Sequence, residues 1–326
     1  MNNHELPLVL MTHTLPDEWV ASLKGKCRLM TGPVDATHFS QDLLGHIEET
    51  AGLFTLLTIP IKQTLLEGAG QLRVISNMAA GVDNIDIVTC TRLGIPVGNT
   101  PGVLTEGTAD LTMALLLALA RRIPQAREDA LTGKWKTWSP TGWLGADLCG
   151  AILGIVGMGK IGKAVARRAK CFGMHIVYFD PVQIEEITGT YLTLEELFRQ
   201  SDFISLHMPL SQSTFHVINA QLLSMVKPSA YLINTSRGSV IDQQALVYAL
   251  MEGQLAGAAL DVTDPEPLPL DHPLFQLPNC LIVPHIGSAT QKTRRRMAEL
   301  ACENLLAGLE GRPLTHCVNP EVYQKR

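Results

Sequence analysis

No Cys-x-x-Cys pair occurs in the 326 residues, which removes the common spacings of a structural zinc site or a thiol redox motif. The seven cysteines, at 27, 90, 149, 171, 280, 302 and 317, are odd in number and widely spaced. They read as isolated buried thiols of a reducing, cytoplasmic compartment, not as a disulfide frame, and no metal site is expected. Long apolar runs are also missing. The most apolar helical stretch, Leu111 to Ala120, ends at Arg121-Arg122 and is about half of the ~20 residues that span a bilayer. The opening residues Met1 to Glu5 are polar and Leu8 to Met11 is only strand-length, so no secretory leader is expected. Charge of one sign is not in excess: the formal net charge is −5. That gives no electrostatic reason for a nucleic-acid or anionic-membrane partner. The short basic clusters Arg121-Arg122, Arg167-Arg168 and Arg294-Arg295-Arg296 read as solvated helix faces or termini. Solenoid repeats and low-complexity tracts are absent as well.

What is present is alternation. The chain is too long for one ordinary hydrophobic core, so two domains are expected. Strand-like runs at Leu8 to Met11, Gly52 to Leu57, Leu72 to Ser76 and Pro96 to Gly98 are separated by helix-like stretches such as Asp17 to Leu23 and Gln41 to Thr50. One long helical segment runs from Thr105 to about Leu131; its early part is apolar on nearly all faces and must be buried. Further strands are expected at Ala151 to Val156, His175 to Phe179, Phe203 to Leu206, Ala230 to Asn234, Gly257 to Leu260 and Cys280 to Val283. Helices are expected from about Ile161 to Phe172 and from about Gln291 to Leu309. Alternating strands and helices predict an α/β protein with two Rossmann-like, doubly wound parallel sheets and a cleft between them.

Gly157-Met158-Gly159-Lys160-Ile161-Gly162 matches Gly-x-Gly-x-x-Gly. Alone the pattern is weak; its place between an expected strand and an expected helix is what gives it meaning. The first glycine permits the tight turn, the second lets backbone approach a pyrophosphate, and the third allows close helix–strand packing. The N–H groups opening the helix, at Lys160 and Ile161, would then bind phosphate with help from the helix dipole. Asp180 stands 18 residues beyond Gly162, directly after the next expected strand. A carboxylate there accepts hydrogen bonds from a ribose 2′-OH and repels a 2′-phosphate. The residues that follow, Pro181 to Ile184, include no cation. NAD(H) is therefore expected over NADP(H).

Three ionisable residues follow the later strands, where doubly wound sheets hold their ligands. They are Arg237, in Ile-Asn-Thr-Ser-Arg-Gly, Glu266, in Asp-Pro-Glu-Pro-Leu, and His285, in Pro-His-Ile-Gly-Ser. Hydride transfer to a ketone needs a proton donor for the developing alkoxide, which suits a histidine. It needs a planar cation for a substrate carboxylate, which suits an arginine. It also needs a carboxylate to orient the imidazole, which suits a glutamate. Singly, each residue has a plain alternative: a capping His, a turn Arg, a solvated Glu. Spacing does not show that the three meet.

Gly154 to Gly162, Ile233 to Gly238, Leu260 to Leu268 and Pro284 to Ser288 together resemble the D-isomer-specific 2-hydroxyacid dehydrogenase family, in order and over nearly the whole chain. Asp261 to Pro269 and Trp135 to Trp138 look most like its glyoxylate/hydroxypyruvate reductase branch. The resemblance implies NADH-dependent reduction of small 2-keto acids to D-2-hydroxy acids, with Arg237 as carboxylate clamp, Glu266 as orienting acid and His285 as proton donor. It implies substrate contacts at Ala80, Gly81 and Ser288, and approach of Thr108 and Asp261 to the nicotinamide. It also implies a homodimer, to which the long helix after residue 105 contributes. The implied substrate-binding, flavodoxin-like domain is discontinuous, 1–101 with 291–326, and the NAD-binding domain is 102–290. Some animal members replace the acid at position 180 and take NADPH; this chain keeps Asp180. Three Trp-rich-loop residues, Trp135, Trp138 and Trp143, suit an interface or a substrate entrance. Two rival functions stay open at this point: a dehydrogenase of another small acid (phosphite, formate, phosphoglycerate or D-lactate), and an NAD-binding regulatory protein of corepressor type.

Overall fold

A computed structural model describes residues 6–184 and 189–324 of the chain; the polar opening Met1 to Glu5 lies outside them. The chain forms two units, Met1–Leu104 with Thr290–Arg326, and Thr105–Ala289.

In the first unit the strands are β1 (Leu8–Met11), β2 (Arg28–Thr31), β3 (Gly52–Thr55), β4 (Val74–Asn77) and β5 (Val97–Gly98). They form a parallel sheet in the order β2-β1-β3-β4-β5. That is the flavodoxin-like order, with its reversal between β1 and β3. Helices α1 (Gln41–Leu44), α2 (Gln63–Gly68) and α3 (Ile87–Arg92) connect the strands. On one face, Val9, Met11, Phe54 and Val74 pack against Ala298, Ala301 and Leu305 of the C-terminal helix Gln291–Leu309. Gly308 of that helix is packed so closely that a β-carbon would overlap Val74. The strands have only two to four residues, so burial and not local propensity holds them; each fully buried Leu or Ile contributes roughly 1.5–3 kcal/mol.

Two expected helices of this unit are shorter than the sequence suggests. Asp17 to Leu23 is a pair of 3₁₀ turns, Asp17–Trp19 and Ala21–Leu23, interrupted at Val20. The helix expected from Gln41 to Thr50 stops at Leu44, next to Gly45, a poor helix former, and continues as turns closed by i→i+3 bonds. Edge strand β2 escapes the sequence reading because its four residues are half exposed and pair only with β1.

In the second unit the strands are β6 (Ile152–Val156), β7 (His175–Phe179), β8 (Thr190–Tyr191), β9 (Phe203–Leu206), β10 (Tyr231–Asn234), β11 (Gly257–Leu260) and β12 (Cys280–Ile282). The parallel order is β12-β11-β10-β9-β6-β7-β8, which reverses direction between β6 and β9. The helices are α4 (Thr105–Ala120), α5 (Ile123–Leu131), α6 (Lys160–Cys171), α7 (Leu194–Gln200), α8 (Ala220–Leu223) and α9 (Gln243–Met251). The C-terminal helix of the first unit is α10. Apolar side chains of α4 and α6 cover one sheet face, and those of α7, α8 and α9 cover the other. The long helix expected from Thr105 to Leu131 is two helices. Arg122 breaks it in the left-handed conformation (φ 51°), and Pro124 opens the second helix.

Two readings of side-chain type need correcting. Cys27, Cys90 and Cys302 are buried, but Cys149 and Cys171 are exposed, because one precedes β6 in a loop and the other ends α6. Arg168 is no solvated face residue: it pairs with Glu106 at 2.7 Å and Asp110 at 2.7 Å of α4, and only 23% of its side chain is exposed. Among the described residues no helix is long and apolar enough to cross a membrane, and no group of three or more His, Cys, Asp or Glu is placed to hold a metal ion.

Candidate active site

Every candidate of the second unit stands at or beyond a strand's C-terminal end, or at the start of α4 or α6. Gly157 directly follows β6 with φ +93°, and a β-carbon on it would meet the backbone of His207 and Met208 at 2.8 Å. Gly162 packs on the turn so closely that a β-carbon would overlap the Gly157 carbonyl. A β-carbon on Gly159, in contrast, would meet nothing within 4 Å. The loop is therefore tight underneath and open above its second glycine, the shape a pyrophosphate requires. The first helical bond of α6 runs from Lys163 N to Gly159 O, so the N–H groups of Lys160, Ile161 and Gly162 lie in the first turn, where helices offer donors to anions. Asp180 closes the loop from the β7 side, its Oδ2 accepting from Met158 N at 2.8 Å. These residues fit a dinucleotide.

Around β10, β11 and β12 three loops carry the ionisable residues. Asn234, the last residue of β10, holds the first loop from both sides. Its Nδ2 donates to Arg237 O at 2.8 Å, while its Oδ1 accepts from Ser236 N at 3.0 Å and Ser236 Oγ at 2.8 Å. Arg237, half-buried, donates from Nη1 to Ser236 O at 2.7 Å. Gly238 lets this loop meet the next one, for a β-carbon there would overlap the Thr263 carbonyl.

Asp261, directly after β11, is 2% exposed. Its carboxylate accepts from Ile286 N at 2.6 Å and Gly287 N at 2.9 Å, and its carbonyl accepts from His285 N at 2.9 Å. Burial pushes this carboxyl above the ordinary carboxylate range, against the pull of those two N–H groups and of the nearby His285. The three bonds hold the His285 turn, in which His285 itself is left-handed (φ 50°). For a non-glycine residue that conformation costs roughly 1–2 kcal/mol and needs such support. His285 Nδ1 pairs with Glu266 Oε1; the imidazole side chain is 24% exposed and the carboxylate side chain 34%. Thr108 of α4 donates to Gly287 O at 3.2 Å, and Thr112 links Thr108 O (2.8 Å) to Thr235 Oγ1 (3.0 Å).

The structure thus joins Glu266, His285 and Asp261 in one cluster, sets Thr108 against the His285 turn and puts Asp180 on the glycine loop. Ser288 follows Gly287 and is partly exposed. Ala80 and Gly81 belong to the first unit, after β4. Their carbonyls accept from Asn99 Nδ2 at 2.7 Å and Asn77 Nδ2 at 3.0 Å. Sequence reasoning missed Asn234, whose Asn-x-Ser pattern at a strand end is the local signature of an Asx turn. It also missed His207, just past β9 at the β6/β9 reversal. His207 Nε2 lies 2.8 Å from Ser205 Oγ, and its enclosed Nδ1 has no hydrogen-bond partner among the described residues. Burial pulls this imidazole down to about 3. No spacing rule marks a histidine there.

Residues 113–287 match the model of the D-isomer specific 2-hydroxyacid dehydrogenase NAD-binding domain. The chain belongs to the D-isomer specific 2-hydroxyacid dehydrogenase family. A glyoxylate reductase from Korarchaeum cryptofilum is 45% identical over 98% of this chain and 98% of its own. A solved structure of a Thermus thermophilus protein superimposes with a TM-score of 0.90 at 46% identity, covering 95% of this chain and 99% of that one. The NADPH-dependent glyoxylate/hydroxypyruvate reductase of Sinorhizobium meliloti gives 0.84 at 32% identity, covering 96% of each. The fold is the family's two parallel-sheet α/β arrangement, and the second unit carries the family's NAD-binding domain.

Proposed function

We propose that the protein reduces small 2-keto acids, glyoxylate and hydroxypyruvate, to D-2-hydroxy acids with NADH. The observation that carries this reading is the Glu266–His285 pair, set by Asp261 at the end of a nucleotide-binding sheet. With Nδ1 engaged by the carboxylate, Nε2 is left as the ring's working atom, and Glu266 stabilises the positive charge of the doubly protonated ring. When bound, the reduced nicotinamide supplies the hydride. His285 gives its Nε2 proton to the carbonyl oxygen as negative charge develops there. Arg237 takes the substrate carboxylate in a two-point contact, which aims the carbonyl. Ser288, Ala80 and Gly81 are assigned further substrate contacts, and Thr108 and Asp261 contacts at the nicotinamide end, on the family resemblance. Gly157, Gly159, Lys160, Ile161 and Gly162 take the pyrophosphate.

Asp180 supports NADH over NADPH: one of its oxygens is anchored by Met158 N–H, which fixes a carboxylate beside the loop that a 2′-phosphate would have to approach. Seven unpaired cysteines support a reducing, cytoplasmic compartment, and exposed apolar residues of 123–144 support a homodimer.

The test is loss of NADH and NADPH absorbance with glyoxylate and with hydroxypyruvate. Fast NADH oxidation is expected, with kcat down by about 10²–10⁴ in His285→Gln. Asp180→Ala is expected to weaken NADH by roughly ten-fold, the worth of hydrogen bonds to a charged group. Preference for NADPH in the unaltered protein would overturn the role of Asp180 alone. No turnover of either acid, with NADH still bound, would sink the substrate reading and bring forward other small acids and then a regulatory role.

A further inference from the structure

The loop that carries Glu266 is held by two side chains from the polypeptide following Arg237, and the reaction does not use either of them directly. Gln243, in the first turn of α9, grips Asp264 at both backbone groups: its Nε2 donates to Asp264 O at 2.7 Å and its Oε1 accepts from Asp264 N at 3.1 Å. Ser239 Oγ donates to Asp264 Oδ2 at 2.5 Å. His272 bounds the same Gln243 amide, Nε2 to Nε2 at 3.3 Å, while its Nδ1 accepts from Leu274 N at 3.2 Å. Inside the loop, Thr263 Oγ1 donates to Pro265 O at 2.8 Å and Thr263 N reaches Glu266 Oε2 at 3.5 Å. Gly238 brings the Arg237 loop against Thr263 with no room for a β-carbon. The ties converge on the three residues just before Glu266, a side chain that is itself one-third exposed.

An exposed carboxylate on an irregular loop loses its orientation readily, because it has few packing contacts of its own. Its partner demands a defined orientation: Glu266 must meet Nδ1 of a ring whose backbone is pinned separately by Asp261. A two-point amide grip on the backbone is the device that fixes such a loop without touching the reacting atoms.

We propose that Gln243, aided by Ser239, is a positioning residue: through Asp264 it sets the Glu266 loop so that the carboxylate meets His285 Nδ1. The idea rests on the reading of Glu266 and His285 as the working pair.

Gln243→Met keeps the side-chain length and removes both polar groups; Ser239→Ala removes one bond. Each is made alone and in a Glu266→Gln background, with thermal unfolding and NADH fluorescence titration beside glyoxylate kinetics. Gln243→Met is expected to lower kcat by about ten-fold, the cost of a small misplacement, with NADH affinity and glyoxylate KM within about two-fold. Ser239→Ala is expected to lower kcat less. In the Glu266→Gln background both effects should shrink to within about two-fold, because the group they position is already gone. Equal losses in the two backgrounds, or a loss that appears in KM and NADH affinity, would overturn the positioning role. Unchanged kcat in Gln243→Met would overturn it too. A Glu266→Gln enzyme as active as the unaltered one would instead overturn the reading of Glu266 itself, and that result is seen before Gln243 is touched. If Gln243→Met does not fold, Ser239→Ala with its non-additivity decides the matter.

Discussion

His207 shows how far a residue's chemistry depends on its seat. Its imidazole is held down to about 3 by burial, whereas an unfolded histidine sits near 6.5. Between those values the unfolded chain binds the proton and the folded chain does not, so the contribution of His207 to stability falls as pH drops below about 6.5. The limit is about 1.4 kcal/mol per pH unit for one group. His207→Leu removes this linkage. Urea unfolding at pH 7 and pH 5 is expected to shift the stability difference between the variant and the unaltered protein by about 1–2 kcal/mol in the variant's favour at the lower pH. An unchanged difference would mean that the folded ring is protonated at pH 5 after all. The same residue marks a limit of reading from sequence. Asp180 is legible because a motif gives its distance from Gly162, but His207 becomes special only where the strand order reverses beside it.

Among the elements, the strands and helices with strong patterns are legible. His175–Phe179, Phe203–Leu206, Gly257–Leu260 and Gln291–Leu309 have the limits expected from their apolar runs. Failures fall where local signals compete, as where Arg122 and Pro124 follow the apolar run of α4, or where pairing and not composition makes a strand, as at β2. At the candidate site the loop placements follow from strand ends, but the contact between Glu266 and His285 comes from tertiary packing that no spacing conveys. Two glycines test this division of labour. Gly162→Ala would push the α6 N-terminus off β6, so NADH affinity should drop by at least about ten-fold, or ~1.4 kcal/mol. Gly238→Ala would push apart the Arg237 and Glu266 loops, so kcat should drop while NADH affinity stays within about two-fold. Fluorescence titration and initial rates separate the two outcomes. Equal effects of both substitutions on NADH binding would show that the glycine loop and the acid–base loops are not independent.

At the scale of the whole molecule the question is what covers the segment 123–144. Ile123, Leu131, Trp135, Trp138 and Leu144 are all exposed in the single chain, Trp138 at 79%. One exposed apolar residue is ordinary, but five within 22 residues, two of them tryptophans, have the composition of an interface core. Asp129 adds order: it accepts from Trp143 Nε1 at 3.0 Å and pairs with Lys134 at 3.1 Å, so the loop is braced before any partner arrives. A second copy of the chain is the expected cover. Sedimentation should give twice the mass of the chain, and Trp135→Ser with Trp138→Ser should shift it towards the monomer at micromolar concentration. Because only four tryptophans are present, acrylamide quenching offers an independent check. Two of the four are open to solvent in a monomer, so quenching weaker than that exposure implies would place them in the interface. A monomeric protein with freely quenched tryptophans would remove the dimer and return the loop to the alternative of a substrate entrance.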